Sequence, residues 1–188
     1  MRVVAGSAGG RRLAAPPGPD IRPTADRVRE AVFGALGSLD AVEGAAVLDL
    51  FSGSGALAIE ALSRGAATAT LVDHDREARA AIAANLAATG LADRATVVAG
   101  DALAHLAASG HRYDLVLLDP PYAYDAWDGL FAALEPRLAG GAVVVAESDR
   151  PIDPGGALVV VREKRYGSTV VTMARFPEGP LPSAGAPA

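Results

Sequence analysis

One stretch of the chain combines residue types that could hold and stack a small polar group. The apolar run Leu115–Leu118 is followed directly by Asp119, Pro120, Pro121 and Tyr122. Because proline has no backbone N–H and fixes φ near −65°, neither a helix nor a strand continues through this point. The stretch therefore predicts a strand that ends in a rigid turn, where a carboxylate, carbonyl oxygens and an aromatic ring are presented together.

The same residues suit the exocyclic amine of a nucleobase. Such an amine is a poor nucleophile because its lone pair is delocalised into the ring. The Asp119 carboxylate and the Pro120 carbonyl could accept both amine hydrogens, and the stiff Pro121 would keep these acceptors in place. Tyr122 could stack on the base, which must be unpaired or flipped to reach it. A proline turn with a purely structural role would explain the prolines, but not the acid and the aromatic ring together.

A second motif links a predicted strand to a predicted helix and resembles a nucleotide-binding loop. Gly53, Gly55 and Ala58 match the pattern G-x-G-x-x-[GA], and Asp73 lies 20 positions after Gly53, where a ribose-binding acid belongs. This pattern alone is compatible with an NAD-binding oxidoreductase. Asp49, however, would repel a pyrophosphate at the helix N-terminus and attract an ammonium group. The motif therefore favours S-adenosylmethionine, which carries an amine and a sulfonium and no phosphate.

Further candidates for cofactor binding lie at neighbouring strand ends. Asp73 could accept hydrogen bonds from both ribose hydroxyls. Asp101, followed by Ala102, could accept one from an adenine amine, and Phe51 lies within the glycine loop. For Asp101 and, less so, Asp49, the alternative is that the carboxylate only caps the following helix.

Strand-like and helix-like segments alternate from residue 45 onward. Such alternation predicts βαβ units and a mostly parallel sheet, hence an α/β fold. Two β-rich runs without a helix between them follow and predict a terminal hairpin. The predicted strands are Ala46–Leu50, Thr68–Val72, Ala95–Ala99, Tyr113–Asp119, Ala142–Glu147, Ala157–Arg162 and Ser168–Arg175, and the predicted helices are 55–64, 75–88, a short one after Asp101, and 126–138.

Composition narrows the class of protein. The chain has 188 residues, 51% of them hydrophobic, with no cysteine and three histidines at no metal-ligand spacing. These features predict a globular protein without disulfides or a structural metal. Because no apolar run approaches the roughly 20 residues that cross a bilayer, we expect a soluble, cytoplasmic protein that does not contact membranes.

Charge is distributed unevenly around the net value of −5. Residues 1–30 carry six basic and three acidic side chains, residues 162–175 carry four and one, and residues 31–161 carry seven and seventeen. The two basic segments could bind RNA phosphates beside an acidic body, although ordinary solvated arginines explain them equally well. The candidates for phosphate contacts are Arg11, Arg12, Arg22, Arg27, Lys164 and Arg165.

Several of these stretches resemble known families. Asp119–Tyr122 matches the [DN]-P-P-[YFW] motif of amino-methyltransferases, and Asp49–Gly55 resembles the first motif of class I S-adenosylmethionine-dependent methyltransferases. Four more stretches are similar to the RsmD family of bacterial 16S rRNA guanine-N2 methyltransferases. They are Arg2–Gly6, Gly10–Leu13, Arg22–Ala31 and Lys164–Gly167.

The resemblance implies a Rossmann-like, seven-stranded sheet with helices on both faces, an antiparallel last strand and a small basic N-terminal extension. It implies methylation of one guanine of 16S rRNA (guanine 966) in the small ribosomal subunit or a late assembly intermediate, by a monomer that needs no metal. We expect residues 1–40 to form a basic arm and helix packed on the core, 41–176 the methyltransferase domain, and 177–188 a disordered tail. Ser168 departs from the family, which usually has an acid there.

Two other functions remain open from sequence. The amino-methyltransferase motif also permits a DNA adenine-N6 methyltransferase, although 188 residues show no second domain to read a DNA sequence. An NAD-binding oxidoreductase would explain the glycines and Asp73. It would leave the stretch Asp119–Tyr122 and the basic ends unexplained.

Overall fold

The computed structural model describes residues 1–16 and 24–179. Arg22 and residues 180–188, which form most of the predicted tail, lie outside these ranges. Five α-helices and seven strands are seen in the described part of the chain. The helices are α1 (Thr24–Ser38), α2 (Ala56–Ser63), α3 (Arg76–Thr89), α4 (Ala102–Ala108) and α5 (Trp127–Leu134), and the strands are β1 (Ala46–Leu50), β2 (Thr68–Asp73), β3 (Ala95–Ala99), β4 (Tyr113–Leu118), β5 (Leu138–Ser148), β6 (Val159–Tyr166) and β7 (Thr169–Arg175).

All seven strands form one sheet in the order β3-β2-β1-β4-β5-β7-β6. Strands β1 to β5 run parallel, and β7 is antiparallel to both of its neighbours. The predicted seven-stranded sheet with an antiparallel last strand is therefore confirmed. Strand order reverses between β1 and β4, and at such a switch point the loops diverge and leave a crevice at the carboxyl ends of the strands.

Helices cover both faces of the sheet. Helices α1, α2 and α3 share a hydrophobic cluster with Val47 of β1 and Leu115 of β4. Helices α4 and α5 share the opposite cluster with Leu48 and Val116, the next residues of the same strands. Because successive side chains of a strand point to opposite faces, a strand buried on both sides is a continuous apolar run.

Most predicted boundaries agree with the structure, and the largest errors lie before β5 and at the end of β6, which extends to Tyr166 rather than Arg162. The predicted helix 126–138 ends at Leu134 and is followed by a single 3-10 turn, Glu135–Arg137. Pro136 lies in that turn and cannot donate a helical hydrogen bond. Strand β5 then begins at Leu138 rather than Ala142. Near the N-terminus, Arg2 and Arg12 form one isolated antiparallel bridge.

The N-terminal segment packs on the face formed by α1 and α2. Val3, Ala8 and Leu13 are buried in the cluster that these helices share with the sheet. Within the described ranges, no helix combines the length and apolar character needed to cross a membrane.

Candidate active site

In the glycine loop that follows β1, every second residue from 51 to 55 has a positive φ. These residues are Phe51 (φ 62°), Gly53 (φ 54°) and Gly55 (φ 75°). At Gly55 a side chain would also lie 3.0 Å from Leu71 Cδ2 and 3.3 Å from Ile82 Cγ1, so the tight turn onto α2 requires glycine. Phe51 has the same left-handed backbone conformation although it carries a side chain, unlike glycine. Its ring is half-buried beside the crevice.

Asp49 lies beneath this loop and is almost completely buried. Its side chain is 1% exposed, and Oδ2 accepts a hydrogen bond of 3.2 Å from the Ala58 N–H in the first turn of α2. Burial raises the pKa of the Asp49 carboxyl from 3.8 to about 8. The Ala58 N–H opposes this rise, and the charges of Asp119 and Asp73 add to it. The unliganded fold therefore loses stability as pH rises from about 4 towards 8, and a cation bound nearby would favour the carboxylate.

Asp73 ends β2 and ties the glycine loop to it. Its Oδ2 accepts from the Gly53 N–H at 2.8 Å, and its Oδ1 accepts from the Asp75 N–H at 2.9 Å. A carboxylate oxygen can accept more than one hydrogen bond, so these contacts leave room for ribose hydroxyls. Asp75 caps α3 through the Glu77 and Ala78 N–H groups, as its position before the helix predicts.

Asp101 follows β3 and caps α4. Its Oδ1 accepts from the Leu103 and Ala104 N–H groups at 2.9 and 3.2 Å, so the capping role considered from sequence is present. The Asp101 side chain is nevertheless exposed towards solvent. The side chain of Ala102 is buried in the core, which leaves only its backbone for a predicted contact with the cofactor.

The turn after β4 presents the second predicted motif. Asp119 and Pro121 are exposed, Pro120 is buried, and Tyr122 is half-buried. Leu118 pairs with Leu50 of the neighbouring strand β1, so Asp119 leaves the sheet beside the start of the glycine loop, and its charge adds to the raised pKa of Asp49. The Tyr122 hydroxyl lies 2.9 Å from Thr169 Oγ1 at the start of β7.

An aromatic group that the sequence patterns did not reveal lies between the two motifs. Tyr124 contacts the Phe51 ring edge-on at 5.3 Å and the Trp127 ring at 5.4 Å. Burial raises the pKa of the Tyr124 hydroxyl, and the charges of Asp101 and Asp125 add to the rise. Through these two ring contacts, Tyr124 joins the glycine loop to α5. In the sequence, the only feature that marks Tyr124 as a candidate is its position two residues after Tyr122.

The predicted phosphate-binding residues differ in their surroundings. Arg12, Arg27, Lys164 and Arg165 are exposed, and Lys164 Nζ lies 5.2 Å from the centre of the Tyr166 ring. Arg11 is also exposed, but its Nη1 donates 2.8 Å to the Ala88 carbonyl near the end of α3. Nowhere in the described ranges do three or more acidic or histidine side chains gather in a way that could hold a metal ion.

Comparisons with known proteins agree with this geometry. A family model described as "Conserved hypothetical protein 95" matches residues 1–175. "Ribosomal RNA small subunit methyltransferase D" of Escherichia coli (strain K12) is 40% identical over 151 residues, which cover 79% of this chain and 75% of that protein. "Putative rRNA methyltransferase YlbH" of Bacillus subtilis (strain 168) is 38% identical over 181 residues, which cover 92% and 97%.

A solved structure is also similar over almost its whole length. The structure described as "Putative methyltransferase yhhF from Escherichia coli" is 35% identical, with a TM-score of 0.84, and the match covers 95% of this chain and 99% of that one. Since the family model spans most of the chain and these relatives are this similar over most of theirs, the chain belongs to the Conserved hypothetical protein 95 family, the RsmD family that its motifs resemble.

Proposed function

We propose that this protein is an S-adenosylmethionine-dependent methyltransferase that modifies the N2 amine of a guanine in 16S rRNA, at guanine 966 by family resemblance. Family membership and the methyltransferase fold support the reaction class. The relatives described as ribosomal RNA methyltransferases support the substrate class. The assembled small subunit or a late assembly intermediate is the proposed form of the substrate.

One observation carries the proposal: Asp119 and the half-buried Tyr122 follow β4, whose last residue Leu118 pairs with Leu50 of β1, at the point where the strand order reverses. An acceptor for an amine and a ring for stacking therefore lie beside the glycine loop. A dinucleotide site alone requires neither residue at the end of β4.

The residues of the crevice fit a cationic cofactor. Burial, with smaller contributions from the charges of Asp119 and Asp73, raises the pKa of Asp49. A positive group bound beside these carboxyls would be attracted to them and would favour the ionised form of Asp49. Asp73 would bind the ribose, and Phe51 with Tyr124 would border the adenine near Asp101. When bound, S-adenosylmethionine supplies a methyl group on a positively charged sulfur.

The chain's own residues act mainly by positioning. The Asp119 carboxylate and the Pro120 carbonyl accept the two amine hydrogens and direct the nitrogen towards the crevice. The same carboxylate would stabilise the positive charge that develops on the nitrogen when it accepts a methyl group, and that charge is lost when one proton leaves the nitrogen. Tyr122 stacks on the guanine and fixes its plane.

Exposed cations beside this turn would hold the RNA. Lys164 and Arg165 lie on the last residues of β6, and the β6–β7 turn leads directly to Thr169, the partner of Tyr122. Arg12, Arg27 and Arg22 would add contacts from the N-terminal side. Contacts to phosphates set the position of an RNA without selecting its base. The protein would bind the RNA as a monomer and without a metal. It would act in the cytoplasm, where ribosomes assemble.

Substituting Asp119 tests the proposal. Purified protein would receive labelled S-adenosylmethionine and small subunits from cells that lack this gene. We expect Asp119→Ala to lower methyl transfer about 100- to 1,000-fold, because a preorganised acceptor in the transition state is removed. Cofactor affinity should stay within about threefold, and mapping the methylated nucleotide identifies the target. Asp114→Ala is the matched control, since Asp114 lies at the opposite end of the same strand.

Full activity of Asp119→Ala would overturn the assigned role. Methyl uptake into duplex DNA in place of small subunits would instead support the adenine-N6 alternative. Thermal stabilisation of the protein by NAD and not by S-adenosylmethionine would contradict methyl transfer altogether.

A further inference from the structure

The contact between Tyr122 and Thr169 joins the reactive turn to the basic hairpin. The two hydroxyl oxygens are 2.9 Å apart, within hydrogen-bond distance. The residues are 47 positions apart in sequence, so the contact exists only because β7 lies near the end of β4 in the folded sheet.

The two partners differ in how firmly the backbone holds them. Thr169 is 8% exposed and begins β7, where it pairs with Tyr166 across the hairpin and is followed by Val170, which pairs with Ser148 of β5. Tyr122 lies in an irregular turn and is only half-buried. A hydroxyl anchored in the sheet is therefore positioned to restrain a ring that the turn holds less firmly.

The same strand pair carries the cations of the hairpin. Lys164 and Arg165 pair with Val171 and Val170, which lie two residues and one residue beyond Thr169. A phosphate bound by these side chains and a base stacked on Tyr122 would thus be held by one rigid unit. Placement of reacting groups is sensitive to displacements of about 1 Å.

We propose that Thr169 is a positioning residue for methyl transfer: its hydroxyl fixes the phenol of Tyr122 and so sets the ring against which the target base stacks. This inference rests on the proposed function, because it assigns Thr169 a role in orienting that substrate. Thr169 does not itself touch the reacting atoms. Its substitution should therefore lower turnover and leave binding of the cofactor unchanged.

The test compares three variants at the contact with one control on the same strand. Thr169→Val keeps the shape and removes the hydroxyl, Thr169→Ser keeps the hydroxyl, and Tyr122→Phe removes the other partner. Thr172→Val is the control, because Thr172 is 3% exposed on β7 and its hydroxyl has no hydrogen-bond partner among the described residues. For each variant, kcat and KM are measured with small subunits and with S-adenosylmethionine.

We expect Thr169→Val and Tyr122→Phe each to lower kcat about tenfold, with both KM values within about twofold of wild type. The double variant should be no slower than either single one, since both remove the same bond. Thr169→Ser should recover most of the activity, and Thr172→Val should match wild type. Wild-type kcat in Thr169→Val, or reductions that multiply in the double variant, would overturn the inference.

A second readout separates this inference from the proposed function. In protein with ¹³C-labelled tyrosine rings, one of the four tyrosine signals is assigned to Tyr122 by its absence in Tyr122→Phe. That signal should shift in Thr169→Val and stay in place in Thr172→Val. An unshifted signal contradicts the contact itself. A shifted signal together with wild-type protein inactive on small subunits contradicts the proposed function instead.

Discussion

The two basic segments of this protein carry the same net charge, but the fold uses that charge differently. In residues 1–30, part of the positive charge serves contacts within the chain. In the hairpin formed by β6 and β7, Lys164 and Arg165 are exposed, whereas Arg175 donates to the Leu39 carbonyl. The net charge of a segment therefore does not say which of its cations are available to an RNA.

Arg29 shows how the first segment uses a cation. It is 3% exposed, donates to the Arg2 carbonyl and to Asp26 Oδ1, and its Nε lies 3.7 Å from Glu60 Oε2. Glu60 is 0% exposed and also accepts from the Val4 N–H at 2.7 Å. This buried pair fastens the N-terminal arm to α2, so Arg29 is a structural residue.

Asn85 of α3 ties the same arm to the cofactor side. It accepts from the Ala14 N–H at 2.8 Å, donates to the Ala14 carbonyl at 2.8 Å, and donates to the Ser54 carbonyl at 2.9 Å. One amide thus holds both the arm and the glycine loop. The hairpin is attached in another way, through the backbone ladder between β7 and β5.

The largest difference should come from substituting Glu60, which lies outside the first segment but pairs with its Arg29, and Glu163 of the hairpin. Glu60→Gln removes the buried charge opposite Arg29 and should lower the free energy of unfolding by about 3 kcal/mol. Glu163→Gln, the same change on the exposed β6, should alter it by less than about 0.5 kcal/mol. Urea denaturation measures both. Equal effects would show that the arm is not held by its buried charges.

Removing the hairpin cations should give the next largest effect. In Lys164→Ala/Arg165→Ala, affinity for small subunits should fall, and the slope of log affinity against log salt should decrease by about 0.7 to 0.9 for each phosphate that is no longer neutralised. The unfolding free energy should stay unchanged, because both side chains are exposed. Binding titrations at several salt concentrations test this. An unchanged slope would remove the hairpin from the RNA interface.

Arg11→Ala should change stability and RNA binding least. It compares an exposed cation that is bonded within the chain with the exposed cations of the hairpin. Arg11 donates to the Ala88 carbonyl near the end of α3, so its substitution should cost at most about 1 kcal/mol of stability. Because its guanidinium is already engaged, the salt slope should change less than with either hairpin cation. A slope change as large as that of Lys164→Ala would show that the arm contacts phosphates equally well, contrary to the comparison.

The fold was largely predictable because its signals are local. The apolar run of β1 and the extent of α3, expected over residues 75–88, were both identified from neighbouring residues. The start of β5 was not, because Gly140 and Gly141 break its apolar pattern although the ladder with β4 extends back to Leu138. Strand pairing depends on the neighbouring strand, which a local pattern does not contain.

The candidate site was predictable only in part. The positions of the predicted residues at the strand ends followed from sequence because parallel strands bring their carboxyl ends to one edge. The contacts of Tyr124 and Thr169 did not, since their partners are distant in sequence or lie on another element. The different surroundings of Arg11, Arg29 and Lys164 were equally invisible, because an arginine or lysine in sequence carries no information about burial.

The sequence by itself determined the α/β alternation, the two loop motifs and the family, because helix periodicity, proline stiffness and glycine freedom act over a few residues. Only the tertiary structure decided which charges are buried, that Asp49 has a pKa of about 8, and that Tyr122 is bonded to Thr169. These properties arise from desolvation and from contacts across the sheet, and both depend on the packing of elements far apart in the chain.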